Sequence, residues 1–145
     1  MTRKIALALG SGGARGWSHI GVIRALEEAG IATEIVCGTS MGALVGGAYV
    51  SGVLDELEAF ARSLTQVSMM RFLDLNITSG GAIEGKLIER ELRALGYKET
   101  FAEADKLFCA VATDLFDARE IWLREGDLVR AIRASIAIPG VFSPV

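Results

Sequence analysis

A serine between two glycines is the first candidate for chemistry in this sequence. The pattern G-x-S-x-G occurs as Gly38-Thr39-Ser40-Met41-Gly42, after the apolar run 35–37 and before the small-residue stretch 43–48. In a nucleophile elbow, a sharp turn between a strand and a helix exposes a serine hydroxyl, and glycines are needed where the two elements approach closely. The sequence therefore predicts Ser40 as a nucleophile. In a chain with 17 glycines, an ordinary turn or helix N-cap serine is the alternative.

The second candidate is a glycine-rich segment directly after the first predicted strand. It reads Gly10-Ser11-Gly12-Gly13-Ala14-Arg15-Gly16. Such a turn at the start of a helix presents backbone N–H groups that bind an anion. One possible anion is a nucleotide phosphate, because Gly10-x-Gly12 opens like a dinucleotide fingerprint and Glu34 follows at the spacing of a ribose-binding acid. The other is the oxyanion formed when a serine attacks an ester, and Arg15 favours it because the fingerprint requires a third glycine there.

His19 is the only histidine of the chain and invites the assignment of a Ser-His-Asp triad with Ser40. It lies, however, within the helical pattern 17–29, where a packed or surface histidine is the commoner case. We therefore expect His19 to have a structural role.

Composition excludes several classes of protein. The 145 residues are 51% hydrophobic, which suits one buried core. A net charge of −3, with neither sign gathered into a block, gives no electrostatic footprint for nucleic acid. Cys37 and Cys109 lie in strand-like runs and suit reduced thiols in the cytoplasm, and with one histidine they form no metal-ligand cluster. The apolar segments are too short for a signal peptide or a membrane span, so we expect a cytoplasmic protein.

The elements that position these residues alternate between strand and helix. Strands are predicted at 5–9, 35–37, 106–113 and 120–123. Helices are predicted at 17–29, from the elbow to about 50, at 54–64, at 84–95 and from an N-cap at Asp127 to about 134, with a loop over 65–83. The first strand is almost wholly apolar, which predicts burial on both faces. The pattern predicts an α/β fold, a three-layer sandwich around a mostly parallel central sheet.

The two motifs, in this order, resemble the patatin-like phospholipase family. The segment 131–144, with Ser135-x-x-Ile138-Pro139-Gly140, adds to the likeness, and 16–21 resembles the small bacterial members related to neuropathy target esterase. The resemblance implies a serine acyl hydrolase with a Ser-Asp dyad, no cofactor, a lipid or acyl-ester substrate and at most peripheral contact with a membrane. Carried over by position, Ser40 would be the nucleophile and the N–H groups of Gly12 and Gly13 the oxyanion hole. Ser11 stands where the motif usually has its first glycine.

The aspartate of the dyad has no counterpart in this sequence. The family carries it in an Asp-Gly-Gly or Asp-Gly-Ala motif after the Ile-Pro-Gly segment, and no Asp-Gly dipeptide occurs here. Asp114, Asp117 and Asp127 lack that context, so we assign the base to no residue. We expect residues 1–145 to be the N-terminal portion of a single domain, truncated before the aspartate and inactive alone. A non-catalytic adaptor on this fold and a nucleotide-binding module using the loop at 10–16 remain as alternatives.

Overall fold

Four strands form one sheet in the computed structural model, which describes residues 4–64, 82–138 and 144–145. They are β1 (Ala6–Leu9), β2 (Ile35–Thr39), β3 (Leu107–Thr113) and β4 (Glu120–Leu123), in the order β1-β2-β3-β4. The first three run parallel, and β4 is antiparallel to β3. The predicted mostly parallel sheet is confirmed.

Helices connect and cover these strands. They are α1 (Ser18–Glu28), α2 (Met41–Ser51), α3 (Leu54–Ser63), α4 (Ala82–Ala94) and α5 (Leu128–Ser135), with 3₁₀ turns at Gly13–Trp17 and Phe101–Glu103. Each of these α-helices lies within a few residues of a predicted helix. The predicted loop spans 65–83. Its residues 65–81 lie outside the described residues, and its last two, 82 and 83, belong to α4. The α/β class is therefore confirmed.

Helix α2 is the centre of the core. Its sequence is apolar or small on all sides, and ten of its residues are buried, which is the pattern of a helix enclosed by protein. Glycines allow close approach: a Cβ at Gly46 would lie 3.0 Å from Val36 on β2, and one at Gly47 would overlap Ile132 of α5. The helix is thus held between the sheet and α5, which fixes the position of its first residue.

The two faces of the sheet differ in burial. On the face covered by α2, Val36 is fully buried and its parallel neighbour Phe108 is 6% exposed. On the opposite face Ala6 and Ala8 are exposed, and Leu107 is 68% exposed. The prediction that β1 is buried on both faces is therefore wrong for the described residues. The reason is topological, because β1 is the end strand of this sheet and only its α2 face is covered there.

Candidate active site

Ser40 lies in the turn between β2 and α2. The strand ends at Thr39, the helix begins at Met41, and Ser40 has φ 54° and ψ −120°. A positive φ is unusual for a residue other than glycine and is maintained only where surrounding contacts enforce it. The strand and the helix predicted around Ser40 are both present. The side chain therefore stands at the carboxyl end of a central strand, at the positive end of an eleven-residue helix.

The flanking glycines are required by close approach of backbone to backbone. A Cβ at Gly38 would overlap the carbonyl oxygen of Gly42 and lie 2.6 Å from the nitrogen of Ala43. A Cβ at Gly42 would overlap the carbonyl oxygen of Leu9 and lie 2.6 Å from that of Gly10. The close contact expected at both glycines is therefore present, and at Gly42 it also involves the end of β1.

The glycine-rich loop lies beside this turn. Parallel pairing of Leu9 with Gly38 brings the carboxyl ends of β1 and β2 to the same edge of the sheet. The loop then turns sharply, with φ 140° at Gly12 and 52° at Gly13, and closes with a 3.0 Å hydrogen bond from the N–H of Arg15 to the carbonyl of Gly12. Both glycines are exposed, so their backbone is accessible from solvent. The structure thus brings together the two motifs that the sequence singled out.

His19 hydrogen-bonds to the glycine-rich loop, and no carboxylate of the described residues is hydrogen-bonded to it. Its Nε2 lies 2.9 Å from the carbonyl oxygen of Gly10. A carbonyl only accepts, so Nε2 carries the proton and donates it in this bond. His19 therefore anchors the first residue of the loop, in agreement with the structural role expected from the sequence.

A residue that the sequence did not mark as part of the site also contacts the turn. The Oγ of Ser135, the last residue of α5, accepts a hydrogen bond from the N–H of Ser40 at 2.8 Å. The same hydroxyl donates to the carbonyl of Val111 at 2.6 Å. Ser135 and Ser40 are 95 positions apart, so no local pattern could reveal the contact. The only sequence signal was the place of Ser135 in the segment 131–144.

The three acids considered from the sequence are occupied by local partners. Asp114 accepts a hydrogen bond from the N–H of Phe116 at 2.8 Å, and Asp127 accepts one from the N–H of Arg130 at 2.8 Å. Asp117 pairs with the guanidinium of Arg119 at 3.0 Å. In the order Asp114, Asp117 and Asp127, these contacts stabilise a turn, form an ion pair and cap α5. Within ranges 4–64, 82–138 and 144–145, no carboxylate is found hydrogen-bonded to Ser40.

Glu34 does not fit the nucleotide interpretation of the loop. It directly precedes β2, and its N–H donates to the carbonyl of Ile5, just before β1. The loop follows the other end of β1, so Glu34 lies at the opposite edge of the sheet. Its carboxylate pairs with Lys4 at 2.9 Å. A ribose-binding acid must lie at the carboxyl edge with the phosphate loop, so this support for nucleotide binding is lost.

Two further classes of site are absent from the part of the chain that the structure describes. It contains no group of three or more metal-binding side chains placed to hold an ion. None of its helices has the length and apolar character needed to cross a membrane.

Comparison with known proteins gives concordant matches. A family model described as patatin-like phospholipase matches residues 7–145. An uncharacterized NTE family protein of Mycobacterium bovis is 46% identical over 141 residues, which cover 97% of this chain and 39% of that protein. Lysophospholipase nte1 of Emericella nidulans is 35% identical over 154 residues, covering 99% of this chain and 10% of that protein. The chain therefore spans well under half the length of these relatives.

A solved structure has a similar fold. The crystal structure of the type III effector protein ExoU aligns with a TM-score of 0.62 at 20% identity, covering 95% of this chain and 41% of that one. At this level of identity the likeness concerns the fold alone.

Proposed function

The chain belongs to the patatin-like phospholipase family, and from that premise we propose that it carries the nucleophile and the oxyanion hole of a serine acyl hydrolase. The substrates would be fatty-acyl esters of the phospholipid or lysophospholipid type. The observation that carries the proposal is the placement of Ser40, which lies in a strained turn at the carboxyl end of β2 beside the glycine-rich loop.

The proposed reaction is acyl transfer in two steps. Ser40 Oγ attacks the ester carbonyl carbon while a general base takes its proton. The N–H groups of Gly12 and Gly13 stabilise the oxyanion of the tetrahedral intermediate. Collapse of this intermediate breaks the ester C–O bond, and the leaving alcohol takes the proton from the base. Water, deprotonated by the same base, then attacks the acyl-enzyme. The bond between the acyl carbon and Ser40 Oγ breaks, the base returns its proton to that oxygen, and the fatty acid leaves.

The hydrogen bonds around Ser40 support assigning the oxyanion hole to the loop. The N–H of Ser40 itself is engaged by Ser135 Oγ at 2.8 Å and is not available to an oxyanion. Gly12 and Gly13 are exposed and lie in the loop that abuts the turn. They are therefore the donors we propose.

For the general base we propose an aspartate from sequence that follows residue 145 in the whole protein. Asp114, Asp117 and Asp127 hold local partners, and the chain spans only 39% of the mycobacterial relative. A serine hydroxyl without a base is a weak nucleophile. Residues 1–145 alone would therefore have little or no hydrolase activity.

An apolar cavity near the site suits a fatty-acyl chain. It has a volume of about 310 Å³ and is lined mainly by Ala112, Leu115, Phe116, Ile121, Leu123 and Ala134. Val111 and Ser135 are hydrogen-bonded to each other beside Ser40. Two residues that line the cavity, Ala112 and Ala134, are their neighbours in the sequence, so the cavity lies close to Ser40. Leu115 and Phe116, in the turn after β3, are 54% and 102% exposed. We propose that this turn makes peripheral contact with a membrane that supplies the acyl chain.

The decisive experiment is covalent labelling of the whole protein with a fluorophosphonate probe. Ser40→Ala is expected to abolish labelling, whereas Ser51→Ala, which changes a buried serine at the far end of α2, leaves it intact. Mass spectrometry should place the adduct on Ser40. An unlabelled whole protein would contradict the hydrolase and favour a non-catalytic adaptor on the same fold.

A further inference from the structure

We propose that Ser135 is a positioning residue that holds the Ser40 turn in its reactive conformation. The inference rests on the proposed role of Ser40 as nucleophile. It deepens that proposal by assigning a function to a side chain from α5, an element that carries neither the G-x-S-x-G motif nor the glycine-rich loop.

The chemistry of the two contacts fixes how the Ser135 hydroxyl is oriented. A serine hydroxyl has one proton to donate and lone pairs that accept. The carbonyl of Val111 can only accept, so at 2.6 Å it takes the proton of Ser135 Oγ. The N–H of Ser40 can only donate, so at 2.8 Å it is directed to a lone pair of the same oxygen. Both bonds form together only if residue 135 carries a hydroxyl.

The hydroxyl lies where β2 and β3 separate. Thr39, the last residue of β2, pairs with Val111 on β3. Ser40 then leaves the ladder with φ 54°, so its N–H needs a partner outside regular pairing. Ser135 Oγ is that partner, and it joins the backbone of Ser40 to the backbone of Val111. The bridge continues the connection between the two strands one residue beyond the ladder.

The element that carries Ser135 is firmly packed. On α5, Val129 and Ile132 are fully buried, and Ile132 packs directly against Gly47 of α2. Ser135 is half-buried at the end of this helix. Its hydroxyl is therefore presented from a rigid support. A strained turn persists only when surrounding contacts enforce it, and Ser135 is the side chain that does so at the Ser40 N–H.

The chain offers a matched control for the test. Ser51 Oγ also accepts a hydrogen bond from a backbone N–H, that of Lys98 at 3.1 Å, and Ser51 is 6% exposed. It lies at the other end of α2 from Ser40. Ser51→Ala thus removes a comparable part-buried hydrogen bond to a backbone N–H without touching the turn.

The experiment compares Ser135→Ala and Ser51→Ala in the whole protein. In Ser135→Ala we expect kcat on a soluble short-chain ester and the rate of fluorophosphonate labelling to fall by about 10- to 100-fold, the cost of a misplaced reacting group, with KM little changed. Melting temperatures should stay similar in the two variants. Ser135→Thr keeps the hydroxyl and is expected to recover part of the rate. Equal rates in the two alanine variants would overturn the proposal.

A second measurement does not depend on activity. In NMR spectra of the whole protein, the Ser40 amide should shift and lose protection from hydrogen exchange in Ser135→Ala, and should be unaffected in Ser51→Ala. An unchanged Ser40 amide would overturn the positioning role even if the enzyme is active. Failure of the unmodified protein to label at Ser40 would instead contradict the proposed function. In that case hydrogen exchange at the Ser40 amide would still test the contact with Ser135.

Discussion

Gly16 lies directly against Met41, and a side-chain carbon at position 16 would overlap Met41 Cβ and lie 3.1 Å from its Cγ. This contact joins the end of the glycine-rich loop to the first residue of α2. Because Ser40 immediately precedes Met41, the spacing between the proposed oxyanion donors and the proposed nucleophile depends on the absence of a side chain at Gly16.

Gly16→Ala is therefore expected to impair the site more than the fold. The added methyl must push the loop from α2, which should cost about 1–3 kcal/mol of unfolding free energy. Displacement of the loop by a fraction of an ångström should slow labelling of Ser40 by about 10- to 100-fold. Labelling kinetics and chemical denaturation of the whole protein measure the two effects.

Gly21→Ala is the control for that variant. Gly21 lies on α1 and is exposed, and a methyl group added there would meet nothing within 4 Å apart from the adjoining backbone of its own helix. Alanine there should be neutral or stabilising by up to about 1 kcal/mol, since glycine is a poor helix former. Equal labelling rates for the two variants would contradict the importance of the contact between Gly16 and Met41.

Changing His19 tests whether the chemistry needs a histidine. His19→Ala removes the 2.9 Å bond to the Gly10 carbonyl and should loosen the loop, which reduces labelling but does not abolish it. His19→Gln offers an amide N–H in its place and should lose less. If His19→Ala were as inactive as Ser40→Ala in steady-state assays, a Ser-His mechanism would replace the one proposed here.

Tyr97 gives a prediction about stability and pH. Its hydroxyl donates to the carbonyl of Leu44 at 3.0 Å, so Tyr97→Phe should lower the unfolding free energy by about 1 kcal/mol. Burial raises the phenol pKa above its ordinary value. Above about pH 10 the unfolded chain therefore loses a proton that the folded chain keeps, and stability falls as the pH rises. Urea unfolding can be measured from about pH 8 to about pH 11, on either side of the ordinary tyrosine pKa. The unfolding free energy should fall less over this interval for Tyr97→Phe than for the unmodified protein.

The cavity beside the site predicts a change in chain-length preference. Ile121 lines the cavity and is 38% exposed, so Ile121→Trp should narrow it with little loss of stability. The ratio of kcat/KM for long-chain to short-chain esters should then fall. Leu107→Trp, which enlarges an exposed leucine at the opposite end of β3, is the control and should leave the ratio unchanged.

Local sequence was sufficient to predict the turn that carries Ser40. Three neighbouring features predict it: the apolar run 35–37 indicates the strand, the glycines at 38 and 42 indicate the tight turn, and the small residues 43–48 indicate the closely packed helix. The same holds for the loop after β1, because its glycines and its place after a strand are both visible in the sequence.

The rest depended on how the elements assemble. The apolar run of β1 does not reveal that it is an end strand, so exposure of Ala6 and Ala8 could not be anticipated. Glu34 had the correct spacing for a ribose-binding acid, but spacing does not specify which end of a strand a residue occupies. The contact of Ser135 with Ser40 arises only when α5 packs against β3, and a sequence pattern carries no record of that packing.

The close contacts at positions 16, 38 and 42 also have a genetic consequence. Every missense change in a glycine codon introduces a side chain, and at these three positions even the smallest one overlaps another part of the protein. Homologous proteins that retain the activity should therefore keep glycine at these three positions. Gly10 and Gly21 have open space around them, and substitutions there should be tolerated. Saturation mutagenesis under selection for activity should recover glycine alone at positions 16, 38 and 42.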